Sequence, residues 1–171
     1  AVAAGQGTVA LEMLEDVPEI DTLVIPIGGG GLASGMGTAA RALNPEVRLV
    51  GVEAELFPSM FNLLRGTHYP IGGDTLAEGI AVFEPGKFTS QVLGQLLDDF
   101  LLVSESEMES ALALLLQIEK TVVEGAGAAG LAAVLANREK FAGRKVGIVL
   151  SGGNIDTRLL ANVLLRDLAR S

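Results

Sequence analysis

Four consecutive glycines, Gly28 to Gly31, stand where a β-rich apolar run (Asp21–Ile27) passes into a helix-like run (Leu32–Leu43). No other feature of the chain narrows both fold and chemistry as much. Without Cβ atoms the backbone there can enter left-handed conformations and approach a ligand closely, and the unpaired N–H groups that open the next helix point at an anion. Strand, glycine turn and helix in that order make a cup for a phosphate, so the chain is expected to hold a phosphorylated cofactor or substrate. A flexible connector is the plainer use of glycine, but a link between two packed elements rarely needs four.

The rest of the chain reads as an α/β alternation. Val9, Ala10, Met13 and Leu14 recur at helical spacing across Gln6–Leu14, and Pro18 follows as a stop. DTLVIPI is a buried strand, SGMGTAARAL a small-residue helix ended by Asn44 and Pro45, and RLVGVE a second buried strand. Together they predict a parallel, right-handed βαβ unit. Leu56–Leu64 is expected as a short helix, Arg65–Gly86 as an irregular excursion rich in glycine and proline, Thr89–Leu97 as a helix and DFLLVS as a brief strand. Ser104 followed by Glu107 forms a capping box that opens a helix through about Lys120. The alanine- and glycine-rich stretch Gly125–Asn137 predicts a closely packed helix, KVGIVL the last buried strand, and IDTRLLANVLLRDLAR the last amphipathic helix.

With 171 residues, 49% of them apolar and 19% charged, the chain can bury one ordinary core. The expected fold class is α/β, a mostly parallel twisted sheet with flanking helices, and residues 1–171 are expected to form a single cofactor-binding domain. Acidic residues outnumber basic ones by 21 to 12, with no Lys/Arg cluster. That balance argues against an electrostatic grip on nucleic acid or on an anionic membrane. The absence of cysteine excludes disulfides and thiolate metal sites. No basic leader opens the chain and no apolar run is long enough to span a bilayer, so a cytoplasmic protein is expected. The first residue is not methionine, which suggests a piece of something longer.

A second glycine turn follows the last strand: KVGIVL runs into SGGN, Ser151 to Asn154. Ligands of open α/β sheets bind at the carboxyl edge of the strands. Two turns on that edge would let the first hold a phosphate while the Ser151 hydroxyl meets a heteroatom at the ligand's other end. The same residues admit a rival. Gly28, Gly30 and Ala33 satisfy the loose NAD-type dinucleotide pattern, with Glu53 at the end of the second strand as the ribose acid, although this leaves SGGN without a purpose.

GGGGLASG after a strand, AEGIAV in the middle loop, VVEGAGAAGLAA and LSGGNID together resemble the serine/threonine dehydratases, fold-type II pyridoxal-phosphate enzymes. The likeness covers nearly the whole chain and is nearest to threonine dehydratase, then to serine racemase. It implies that the amides of Gly28, Gly29, Gly30, Gly31 and Leu32 hold the phosphate of pyridoxal 5'-phosphate. It also implies that Ser151, beside Gly152, faces the pyridine nitrogen, that Gly79 passes close to the ring, and that Glu124 lies near its nitrogen side. On the residues alone, Gly79 is equally a turn and Glu124 a solvated acid at a helix start.

Some relatives bind a divalent cation through a glutamate, a carbonyl and a second acid. Glu53 and the Phe57 carbonyl would fit, but Ser59 replaces the acid, and no tight metal is expected. The largest departure is the Schiff-base lysine, whose Ser-Phe-Lys-x-Arg-Gly segment does not occur. Lys87, Lys120, Lys140 and Lys145 read as solvated charges, and His68 cannot replace an amine. The resemblance thus implies the carboxyl-terminal, cofactor-binding half of a dehydratase, itself inactive, without the lysine-bearing half or a carboxyl-terminal regulatory domain. An amino-acid substrate and a homo-oligomer go with the intact enzyme, and a non-catalytic, self-associating fragment is the non-enzyme alternative.

Overall fold

The computed structural model describes residues 2–170. Helix α1 (Val2–Asp16) leads into β1 (Thr22–Pro26), α2 (Gly31–Leu43) and β2 (Arg48–Ala54). A long irregular stretch with one 3-10 turn, Glu78–Ile80, separates α3 (Ser59–Arg65) from α4 (Lys87–Leu96). Then come β3 (Asp99–Val103), α5 (Glu105–Leu114), α6 (Gly125–Ala136), α7 (Arg138–Phe141), β4 (Val146–Ile148) and α8 (Thr157–Arg170).

The strands form one sheet in the order β3-β2-β1-β4. Every pairing is parallel, and Val24 lies opposite both Val50 and Ile148. All four carboxyl ends therefore share one edge. Helices cover both faces, which is why the central β1 is an unbroken buried run instead of an alternating one. The period of two still sorts its side chains. Leu23 and Ile25 pack with Leu49 and Phe100 under α1, α2, α3 and α4, whereas Val24 packs with Val50, Val52 and Val103 under α5, α6 and α8.

Small residues set the layer spacing. A Cβ on Gly130 of α6 would lie 2.6 Å from a methyl of Ile148, so that helix sits directly on β4. At the other face a Cβ on Gly35 of α2 would overlap the carbonyl oxygen of Ala3 in α1, and these two helices cross backbone against backbone. The predicted close packing of the Gly125–Asn137 segment is what the structure shows.

The capping box at Ser104 is present in full: its Oγ accepts from the Glu107 amide at 3.3 Å, and the Glu107 carboxylate accepts from the Ser104 amide at 2.7 Å. The helix it opens does not run regularly to Lys120. It widens after Leu114 into a π-helical turn, Leu115–Glu119, in which the amides of Lys120 and Thr121 both donate to the Leu115 carbonyl. Lys120 itself adopts a left-handed conformation, φ 57°. Two further differences are the earlier start of α1 and the short α7, which places Phe141 in the core. The last strand is shorter than KVGIVL, because only Val146–Ile148 has a partner in β1.

Candidate functional site

Parallel pairing puts the ends of β1 and β4 side by side, and the turns leaving them border a cavity of about 400 Å³. Gly28, Gly29, Gly30, Gly31 and Leu32 line it from the first turn, Gly79 from the 3-10 turn, Glu124 from the start of α6, and Ser151 and Gly152 from the second turn. All nine residues singled out in the sequence thus face one space, closed by Pro26, Ile80 and Ala126. A larger cavity of about 560 Å³ lies between the Gly73–Ala81 loop, α5 and α8. Its polar lining is mostly carboxylates, and its Arg166 is already held 2.5 Å from Glu109, so it offers an anion little.

The four glycines of the first turn are glycine for different reasons. A Cβ on Gly28 would stand 3.0 Å from the Ile80 Cα. Gly30 adopts φ +84°, and a Cβ there would stand 2.8 Å from the Thr89 Cβ. Both are required by backbone and neighbours. At Gly29 a Cβ would meet nothing within 4 Å, and at Gly31 only a Val2 methyl at 3.7 Å, and neither residue is left-handed. Packing therefore does not ask for glycine at these two positions; what they keep free is a cradle that side chains would fill. Gly30 caps α2 without any side-chain acceptor, no acidic residue follows in the first turn, and the amides there have no intrahelical partner. Unmatched donors at the positive end of a helix suit a phosphate dianion.

Glu124 sits opposite this turn in a seat made by two more glycines. Its amide donates to the Gly152 carbonyl at 3.1 Å. A Cβ on Gly79 would lie 2.7 Å from its Oε1, and one on Gly152, at φ +91°, 2.7 Å from its Cδ. The side chain does not cap α6 and is half-buried, so it is not a freely solvated helix-start acid. A Cβ on Gly127 would come within 3.0 Å of the Ser151 and Gly152 carbonyls, which shows how closely α6 supports the second turn.

Two further side chains hold these loops, and sequence reasoning missed both. Thr89 Oγ1 donates to the Gly29 carbonyl at 2.6 Å. The Glu105 carboxylate accepts from Thr75 Oγ1 at 2.7 Å and from the Leu76 amide at 2.6 Å, pinning the loop that carries Gly79. Their partners stand 60 and about 30 residues away in sequence, so no local pattern announces them.

Glu53 has a different task from either one considered for it. It is 1% exposed, and its two oxygens accept from the amides of Met60 at 3.0 Å and Phe61 at 2.8 Å. It caps α3 from a neighbouring strand and is not presented to a ribose, which removes the support for the dinucleotide alternative. Burial pushes its carboxyl up to about 7, against the opposing pull of the Phe61 and Met60 amides. Among the described residues no group of three or more His, Asp or Glu is arranged to hold a metal ion.

None of the four lysines lines the cavity. Lys140 is also more than a solvated charge. It meets Asp99 at 2.8 Å, alongside Arg48 at 3.1 Å, at the amino edge of the sheet. Burial raises the Asp99 carboxyl, but Lys140, the Phe100 amide and Arg48 outweigh it and hold the group below its usual range. No described helix is long and apolar enough to cross a membrane.

This arrangement has counterparts among known proteins. A family model described as pyridoxal-phosphate dependent enzyme matches residues 1–152. An L-threonine ammonia-lyase of Thermotoga maritima is 45% identical over 172 residues, covering 99% of this chain and 43% of its own. A catabolic L-threonine dehydratase of Escherichia coli K12 is 39% identical over 168 residues, 95% of this chain and 50% of its own. Among solved structures, maize serine racemase superposes with a TM-score of 0.84 at 38% identity, over 96% of this chain and 53% of that one. The chain thus spans about half the length of the relatives it matches.

Proposed function

The chain belongs to the pyridoxal-phosphate-dependent enzymes, and from that premise we propose that it is the part of a threonine or serine dehydratase that holds the cofactor by its phosphate. The observation that carries this reading is the free space over Gly29 and Gly31, which no neighbour in the chain explains. The amides of Gly28 to Leu32 bind the phosphate, and the left-handed turn at Gly30 directs them inward. Ser151 offers the pyridine nitrogen a neutral hydroxyl, a partner that does not keep a proton on that nitrogen as a carboxylate would. Gly79 lets its loop approach the ring, and Glu124 borders the same space from α6. When bound, pyridoxal 5'-phosphate supplies the conjugated electron sink that β-elimination from a hydroxy-amino acid requires.

The whole enzyme, on this reading, is a cytoplasmic ammonia-lyase that converts L-threonine to 2-oxobutanoate and ammonia. The group that holds the cofactor covalently and moves the Cα proton is a lysine outside these 171 residues. The chain alone therefore binds the cofactor without turning over threonine. Thermal shift tests the first half: pyridoxal 5'-phosphate is expected to raise the melting temperature and NAD is not, and the reverse result overturns the reading. Borohydride reduction followed by intact mass tests the second half. An unmodified chain is expected, and either a specific reduced adduct or 2-oxobutanoate formation by the chain alone would refute the assignment of the lysine elsewhere.

A further inference from the structure

We infer that Thr89 is a positioning residue for the cofactor phosphate, acting through the peptide that joins Gly29 to Gly30; this rests on the proposed function above. Thr89 lies in the first turn of α4, sixty residues from the glycine loop, and its hydroxyl donates to the Gly29 carbonyl at 2.6 Å. The Gly86 carbonyl, at 3.0 Å, is the longer alternative for the same proton. A hydroxyl has one proton to give, and the shorter contact takes it.

The hydroxyl occupies a notch that two glycines leave open. A Cβ on Gly30 would stand 2.9 Å from Thr89 Oγ1, and one on Gly86 2.6 Å from it and 3.3 Å from the Gly29 carbonyl oxygen. The site is thus shaped to admit this contact from both sides. The Gly29 carbonyl and the Gly30 N–H belong to one peptide unit. A hydrogen bond accepted by the carbonyl polarises the unit and strengthens the N–H as a donor. The same bond fixes the plane of a peptide whose glycines would otherwise leave it free to rotate. Thr89 in this way keeps one cradle amide both aimed and polarised without touching the ligand itself.

The test compares pyridoxal 5'-phosphate with pyridoxal, which differs only in lacking the phosphate, on the 171-residue chain and on Thr89→Val and Thr89→Ser. A second readout is the backbone amide shift of Gly30 during titration with inorganic phosphate. Losing one such bond is expected to weaken pyridoxal 5'-phosphate binding by about three- to tenfold. Pyridoxal binding should stay unchanged, and Thr89→Ser, which keeps the hydroxyl, should restore the wild-type value. Wild-type affinity in Thr89→Val overturns the proposal, and so does an equal loss for both ligands or an unaltered Gly30 response to phosphate. If the wild-type chain itself does not prefer pyridoxal 5'-phosphate to pyridoxal, the proposed function falls and this inference with it.

Discussion

Adjacent glycines in one turn have separable duties, and alanine substitution can tell them apart. Gly30 is left-handed and pressed against Thr89, so Gly30→Ala adds both backbone strain and overlap and is expected to destabilise the chain by about 1–3 kcal/mol. Gly29 has neither constraint. Gly29→Ala should leave stability within about 0.5 kcal/mol of wild type, while its methyl enters the cradle and weakens pyridoxal 5'-phosphate binding. Chemical denaturation and cofactor titration on the two variants check this. A Gly29→Ala chain that binds the cofactor normally would mean that the free space is not the phosphate seat. The distinction was not legible in the sequence, where the four glycines look alike. What was legible is that the turn joins a strand to a helix, since a short β-rich apolar run gives way there to a longer helix-like run of small residues. Glu53 shows the opposite limit. Its place at the end of the second strand fits two ligand patterns, and only the fold reveals that the amides of Met60 and Phe61 already occupy its oxygens.

Elements fold as read where the signal is local. The capping box at Ser104 and the buried runs of β1 and β2 depend on residues within a few positions of one another. The π-helical turn after α5 and the short α7 do not: one turns on where Lys120 and Thr121 send their amides, the other on the core position of Phe141 and on Arg48, which bonds the Lys140 carbonyl from 92 residues away at 3.1 Å. The crossing of α1 and α2 is intermediate, because small residues announce close packing without naming the partner. It yields a sharp expectation. Gly35 faces the Ala3 carbonyl and the Gly7 amide, both backbone atoms, so no change of rotamer can relieve a methyl. Gly35→Ala is expected to cost about 3 kcal/mol or more, read as a lower urea midpoint with the m-value unchanged. Gly5→Ala in the same helix pair meets nothing within 4 Å and serves as the control. Equal midpoints for the two variants would show that the helices do not cross this closely.

Over the whole molecule the sheet separates its two edges by chemistry, and the separation makes a testable statement about pH. The carboxyl edge carries the cavity and its uncapped amides; the amino edge carries Asp99 with Arg48 and Lys140. Asp99, held below its ordinary range, contributes stability that is present above its unfolded pKa and is lost as pH falls through its folded value. Glu53 works in the other direction. Its carboxyl is raised from 4.5 to about 7, so the native chain keeps a proton that the unfolded chain has released. Its contribution is full below pH 4.5, declines from there, and is gone once pH has risen through about 7. The shift corresponds to a loss on the order of 3 kcal/mol across that interval, and the formal charge of −9 at neutral pH adds repulsion in the same sense. Glu53→Gln isolates the first effect. The amide cannot accept well from both helix amides, so the variant should be less stable at pH 5, but that penalty does not titrate. Denaturation at intervals from pH 5 to 7.5 is therefore expected to show wild-type stability falling while the Glu53→Gln values change much less, the two curves converging toward neutral pH. Parallel curves would mean that Glu53 is ionised throughout and that the cap on α3 costs no proton.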